Sequence, residues 1–171
     1  HASLKKYGRA AGRDATVLFS MSGKEVALDP LAIKMLATSS MRTVKLQMKH
    51  RKFTGEEKQL LTIPGSGKNL VLIVGLGSLK KMHQDTVRLV AAHALSALRT
   101  LRVQTADVLV PSFENPRLHG EQALTGAVEG MLLAHYKFNK YQTKDKNTTD
   151  VADVRFCVPA ITKDLRDIFA Q

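Results

Sequence analysis

Two glycine-containing stretches carry the residue types of a phosphate cradle. Val74-Gly75-Leu76-Gly77 follows an apolar run, and glycines at such a turn let backbone amides approach a pyrophosphate. The third glycine of that pattern would fall at position 80, where the chain has Lys80. No acid that could bind a ribose follows at the usual distance. Gly67-Lys68 has the ending of a P-loop, but Thr62 stands where its first glycine belongs and Asn69 where a Ser or Thr would meet magnesium. Neither stretch predicts a nucleotide site.

Metal and nucleophile chemistry fare no better. His83, His93, His119 and His135 form neither a His-Glu-x-x-His pair nor a Cys/His cluster, the spacings that place ligands on one helical face. They read as solvated or hydrogen-bonded histidines. No Gly-x-Ser-x-Gly elbow exposes a serine. Cys157 is the chain's one cysteine; it sits in an alternating Arg155-Phe156-Cys157-Val158 stretch and reads as a buried, reduced thiol.

Positive charge is the remaining chemical signal. Lysine plus arginine exceed aspartate plus glutamate by 11, which favours acidic partners without saying anything about fold. Arg42, Lys45, Lys49, Arg51, Lys52 and Lys58 have only Glu56 and Glu57 nearby. Read as a hairpin, the stretch is a solvated sheet edge, or a surface for phosphates of nucleic acid. Tyr136, Phe138 and Tyr141, interleaved with Lys137, Lys140 and Lys144, have the makings of a base-stacking platform. After an amphipathic helix, such aromatics more commonly close a core.

The elements behind these residues alternate between strand and helix. Ala15 to Phe19 reads as a strand with its turn at 20–24, and Pro30 to Thr38 as a helix with proline in its first turn. Val44, Leu46 and Met48 alternate with polar residues, which predicts a half-exposed strand paired with Lys58 to Ile63. Leu70 to Val74 is apolar throughout and bounded by glycines, the pattern of a central strand covered on both faces. Its burial contributes about 10 kcal/mol as an upper estimate. Val87, Val90, Ala91, Ala94, Leu98 and Leu101 mark a helix from Asp85, the expected N-cap. A strand at Asp107 to Val110 and a helix at Glu121 to Ala134 follow. In the latter, Gly126 and Gly130 share a face; each costs about 1 kcal/mol against alanine, which predicts close approach to a neighbouring element. Val154, Phe156 and Val158 form a last strand. Ile161, Leu165, Ile168 and Phe169 give a helix with no cap or breaker after it.

This order of elements predicts one three-layer α/β/α domain over residues 1–171, with no internal repeat. The longest apolar run is too short to span a membrane. With no signal-peptide pattern either, the expected compartment is the cytoplasm.

Three segments together resemble a known family: Leu-Val-Leu-Ile-Val-Gly-Leu-Gly at 70–77, the small-residue helix through Ala91-Ala92-His93-Ala94, and the run from Val128 to Tyr141. In the last, Glu129-Gly130-Met131-Leu132-Leu133 precedes Tyr136-Lys137-Phe138-Asn139-Lys140-Tyr141. The combination, over about residues 40 to 158, resembles the amino-terminal domain of the leucyl (cytosol) aminopeptidase family. The resemblance implies a macro-domain-like mixed sheet, with residues from about 160 to 171 beginning a helix to a catalytic domain. It implies that the parent is a homo-hexameric metallo-exopeptidase acting on peptide substrates, with two divalent metal ions, zinc or manganese, in that second domain. The family's Asn-Thr-Asp-Ala-Glu-Gly-Arg motif does not occur in this sequence. No catalytic, cofactor-binding or metal-binding residue is therefore carried over.

Three readings stand side by side: a non-catalytic domain aiding assembly and active-site access, a nucleic-acid-binding module, and a phosphate or ADP-ribose type pocket suggested by fold analogy alone. The third requires the amides around Gly75 and Gly77 to converge on an empty cleft.

Overall fold

A computed structural model describes residues 1–6, 12–29, 33, 38–65, 69–113, 117–136, 149–161, 163, 166 and 167. Their elements are β1 (Ala2–Lys6), β2 (Ala15–Ser22), β3 (Ala27–Leu28), α1 (Thr38–His50), β4 (Leu60–Pro64), β5 (Leu70–Ser78), α2 (Gln84–Thr100), β6 (Thr105–Leu109), α3 (Gly120–His135) and β7 (Asp153–Val158). The strands form one sheet in the order β1, β7, β6, β2, β5, β4, with β3 paired to β2. Pairing is parallel except for β4 on β5 and β3 on β2.

The alternation of side chains along β5 builds both cores. Leu72, Val74 and Leu76 pack with β6 and β7 under α2 and α3, burying Val87, Val90, Ala94, Leu98, Leu124 and Met131. Val71 and Ile73 point the other way, toward Val44 and Met48 of α1 and toward Phe53. The result is the predicted α/β/α sandwich. With Leu72 only 1% exposed and strands on both sides of β5, the apolar run is covered on both faces as its composition required. It lies one strand in from the β4 edge and not at the centre of the sheet.

The expectation of a strand at 44–48 is wrong. Those residues lie in α1, and the sequence alternation concealed an i, i+4 pair. Val44 and Met48 are buried, while Leu46, on the far side, is 62% exposed. Arg, Lys, Leu, Gln and Met fill the segment, and all are good helix formers. The partner expected for it instead pairs elsewhere: Leu60 to Pro64 runs antiparallel to β5, with Thr62 opposite Leu72.

Three smaller expectations also change. The N-cap of α2 is His83, not Asp85; Asp85 stands in the first turn and pairs with Arg88. β2 continues through Ser22, so the turn follows later than position 20. Ala2 to Lys6, too short a stretch to show periodicity, forms an edge strand on β7. The helix expected at 30–38 and the one after Ile161 fall mostly outside the described residues, as do Phe138 and Tyr141.

α1 and α2 end in the same way without glycine. Lys52 and Arg102 adopt left-handed φ values of 52° and 57°. The next amides, of Phe53 and Val103, reach back to the carbonyls of Met48 and Leu98. Each is a Schellman closure whose apolar pair, Phe53 with Met48 and Val103 with Leu98, enters the core.

Candidate functional site

The Gly75-Leu76-Gly77 turn is filled by protein. The Gly75 amide donates to the Gln59 carbonyl at 2.8 Å and the Gly77 amide to the Gly55 carbonyl at 2.9 Å. A Cβ at Gly75 would overlap the carbonyl oxygen of Glu56. Glycine is thus required by backbone packing against 55–59, and these amides do not converge on an open cleft. That geometry removes the support for a phosphate or ADP-ribose pocket at this turn. Gly67 and Lys68 lie outside the described residues.

The histidines are dispersed over caps and helix surfaces. His83 precedes α2, and His119 caps α3 in a reciprocal box with Gln122, whose side chain accepts from the His119 amide at 3.0 Å. His135 ends α3, exposed. Among the described residues, no group of three or more His, Cys, Asp or Glu is arranged to hold a metal ion.

A buried ion cluster lies where the sequence gave no warning. Asp107 on β6 and Arg155 on β7 are register partners, and the guanidinium donates to both carboxylate oxygens at 2.6 and 2.8 Å. Arg13, before β2, approaches the same carboxylate and pairs with Asp153. Asp107 is almost fully buried, so its charge requires these partners. Two rungs up the strand, Cys157 is buried. Burial first, then the nearby Asp107 carboxylate, pushes its thiol up to about 11. A thiol held in the protonated form is a poor nucleophile. The cluster fastens β6, β7 and the entry to β2 and presents no reactive group.

The family-like segment divides by direction. Glu129 pairs with Arg88 of α2, Gly130 abuts that helix, and Met131 enters the core. Leu132, Leu133 and Tyr136 project outward. Beside them, a cavity of about 220 Å³ opens between α2, α3 and the β1–β7 edge, lined by Leu95, Val128, Met131, Val154 and Phe156 with His135 at its margin. Among the described residues, its wall includes no carboxylate, thiol or hydroxyl. Such a space accommodates an apolar group.

Similarity to known proteins agrees with the layer order. The model of the cytosol aminopeptidase family, N-terminal domain, matches residues 16–145. A probable cytosol aminopeptidase of Aquifex aeolicus is 31% identical over 134 residues, which are 73% of this chain and 26% of that protein. The chain spans about a quarter of the length of such relatives. Among solved structures, a mutant of tomato leucine aminopeptidase superposes with a TM-score of 0.73 at 13% identity, over 99% of this chain and 34% of the other. The macrodomain of Thermus aquaticus DarG superposes with a TM-score of 0.60 at 12% identity, over 93% of this chain and 99% of its own. At those identities the two structures establish the macro-domain-like fold and nothing more. The family match rests on sequence over most of the chain: this protein belongs to the cytosol aminopeptidase family and represents its N-terminal domain.

Proposed function

We propose that the chain is the non-catalytic amino-terminal domain of a leucyl aminopeptidase that removes amino-terminal residues from peptides in the cytoplasm. The observation that carries this reading is the family match over residues 16–145 of a chain about a quarter as long as its relatives. On this reading, water activation belongs to a carboxy-terminal domain holding two divalent metal ions, zinc or manganese. A helix from about residue 160 joins the two domains.

The domain's own work is to aid assembly of a homo-hexamer and access to its active sites. The exposed Leu132, Leu133 and Tyr136 beside the apolar cavity support the assembly part, since a surface that is covered on association needs apolar area. No helix among the described residues is long and apolar enough to cross a membrane.

The test compares leucine-anilide hydrolysis, with zinc or manganese added, by the 171-residue chain and by the whole parent protein. Activity is expected from the parent alone. Hydrolysis proportional to the concentration of the purified 171-residue chain would sink the reading, as would a metal-supplied parent with no activity on amino-terminal leucine.

A further inference from the structure

The change of residues 44–49 from expected strand to observed helix rearranges the basic stretch. At 100° per residue, Arg42, Lys45 and Lys49 fall within an arc of about 60° centred about 110° round the helix from the buried Val44 and Met48. All three are exposed, as are Arg51 and Lys52 in the closing turn and Lys58 in the loop beyond. α1 contains no acid. Elsewhere, Arg13, Arg88, Arg99 and Arg155 each meet a carboxylate. Among the described residues, Arg42, Lys45 and Lys49 have no such partner. The face is therefore a concentration of one sign, on a chain that already carries an excess of 11 positive charges.

We propose that the exposed face of α1, with the turn after it, docks on the phosphate backbone of nucleic acid. Two observations favour a polyanion over an acidic protein. The face is rich in lysine and has Leu46 as its exposed large apolar side chain, whereas protein interfaces are depleted of lysine and centre on aromatic or apolar anchors. Nucleic-acid interfaces are instead polar and strongly positive. From Arg42 to Lys49 the helix rises about 10 Å, so its side chains can reach several phosphates, which recur about every 3.4 Å of axial rise on each strand. No base-reading motif accompanies them, so the contact is to backbone and indifferent to sequence. This inference is independent of the aminopeptidase reading and adds a surface to it.

The experiment titrates a labelled random-sequence 20-base-pair duplex with the 171-residue chain between about 50 and 200 mM salt. Contact with about five phosphates gives a slope of log affinity on log salt near −4.5. The triple variant R42Q/K45Q/K49Q keeps helix-forming residues at exposed positions, and circular dichroism checks its fold. It should lose at least about tenfold in affinity at the lower salt and flatten the slope by nearly 3. A charge-matched control, K24Q/K80Q/K81Q, should keep the slope to within about 1. Absence of duplex binding at about 50 mM salt overturns the proposal. Equal losses in the two triple variants overturn it in favour of net charge alone. Poly-glutamate bound more tightly than duplex at matched charge overturns it in favour of an acidic protein partner.

Discussion

Gly130 on α3 lies so close to α2 that a Cβ on it would overlap the carbonyl oxygen of Arg88. One turn earlier, a Cβ on Gly126 would stand 2.8 Å from the carbonyl oxygen of Gln84. The two helices run side by side along this glycine seam, and the Arg88–Glu129 pair bridges its flank. Gly130→Ala should therefore destabilise the chain by about 2 kcal/mol, the steric push of about 3 kcal/mol outweighing the roughly 1 kcal/mol by which helix propensity favours alanine. Urea melts measure the loss. A neutral or stabilising result would mean that the helices stand further apart than described.

Leu72 tests the sheet in the same way. It is 1% exposed in the middle of β5, facing the α2–α3 core. Leu72→Ala should cost about 2–5 kcal/mol. A loss below roughly 0.5 kcal/mol would place the strand at the surface and contradict the layer order.

The αL residues that end α1 and α2 give a prediction of opposite sign. Arg102 holds φ at 57°, a conformation that disfavours side chains by about 1–2 kcal/mol and that glycine adopts freely. Arg102→Gly should stabilise by roughly 0.5–1 kcal/mol after glycine's greater unfolded-state entropy is subtracted. A thermal melt reads this as a rise in Tm. A fall would show that the Arg102 side chain makes a contact worth more than the strain.

Cys157 supplies the pH-dependent test. Burial and the Asp107 carboxylate raise its pKa to about 11, above the ordinary thiol value near 8.5. The folded state thus favours the thiol over the thiolate. Sign follows directly: the unfolded chain releases this proton first as pH rises, so stability from this group is intact below about pH 8 and declines above it. Thiol labelling with an aromatic disulfide at pH 8 should be slow in buffer and fast in denaturant. Rapid labelling of the folded chain would show the sulfur to be accessible.

Local pattern alone determined much of this protein. Five consecutive apolar residues cannot all be hidden unless both faces of a strand are covered, so Leu70 to Val74 announced an interior strand and two layers of helix. Paired glycines four apart in a good helix announced the close approach that Gly126 and Gly130 make. The run from Val128 to Tyr141 announced the family. What remained hidden depends on contacts between distant segments. Val44 and Met48 satisfy a strand's alternation and a helix's i, i+4 spacing equally, and only the apolar surface of Leu18 and Ile73 waiting beneath them selected the helix. That selection placed Arg42, Lys45 and Lys49 on one face. Asp107 and Arg155 are 48 residues apart in sequence, and their pairing exists only because β6 and β7 lie side by side in the register that sets them opposite each other. Gly75 and Gly77 carry the residue types of a ligand turn, yet their amides are taken by Gln59 and Gly55. A buried amide bonds to whatever acceptor the fold brings within reach, and here that acceptor is backbone from another part of the chain.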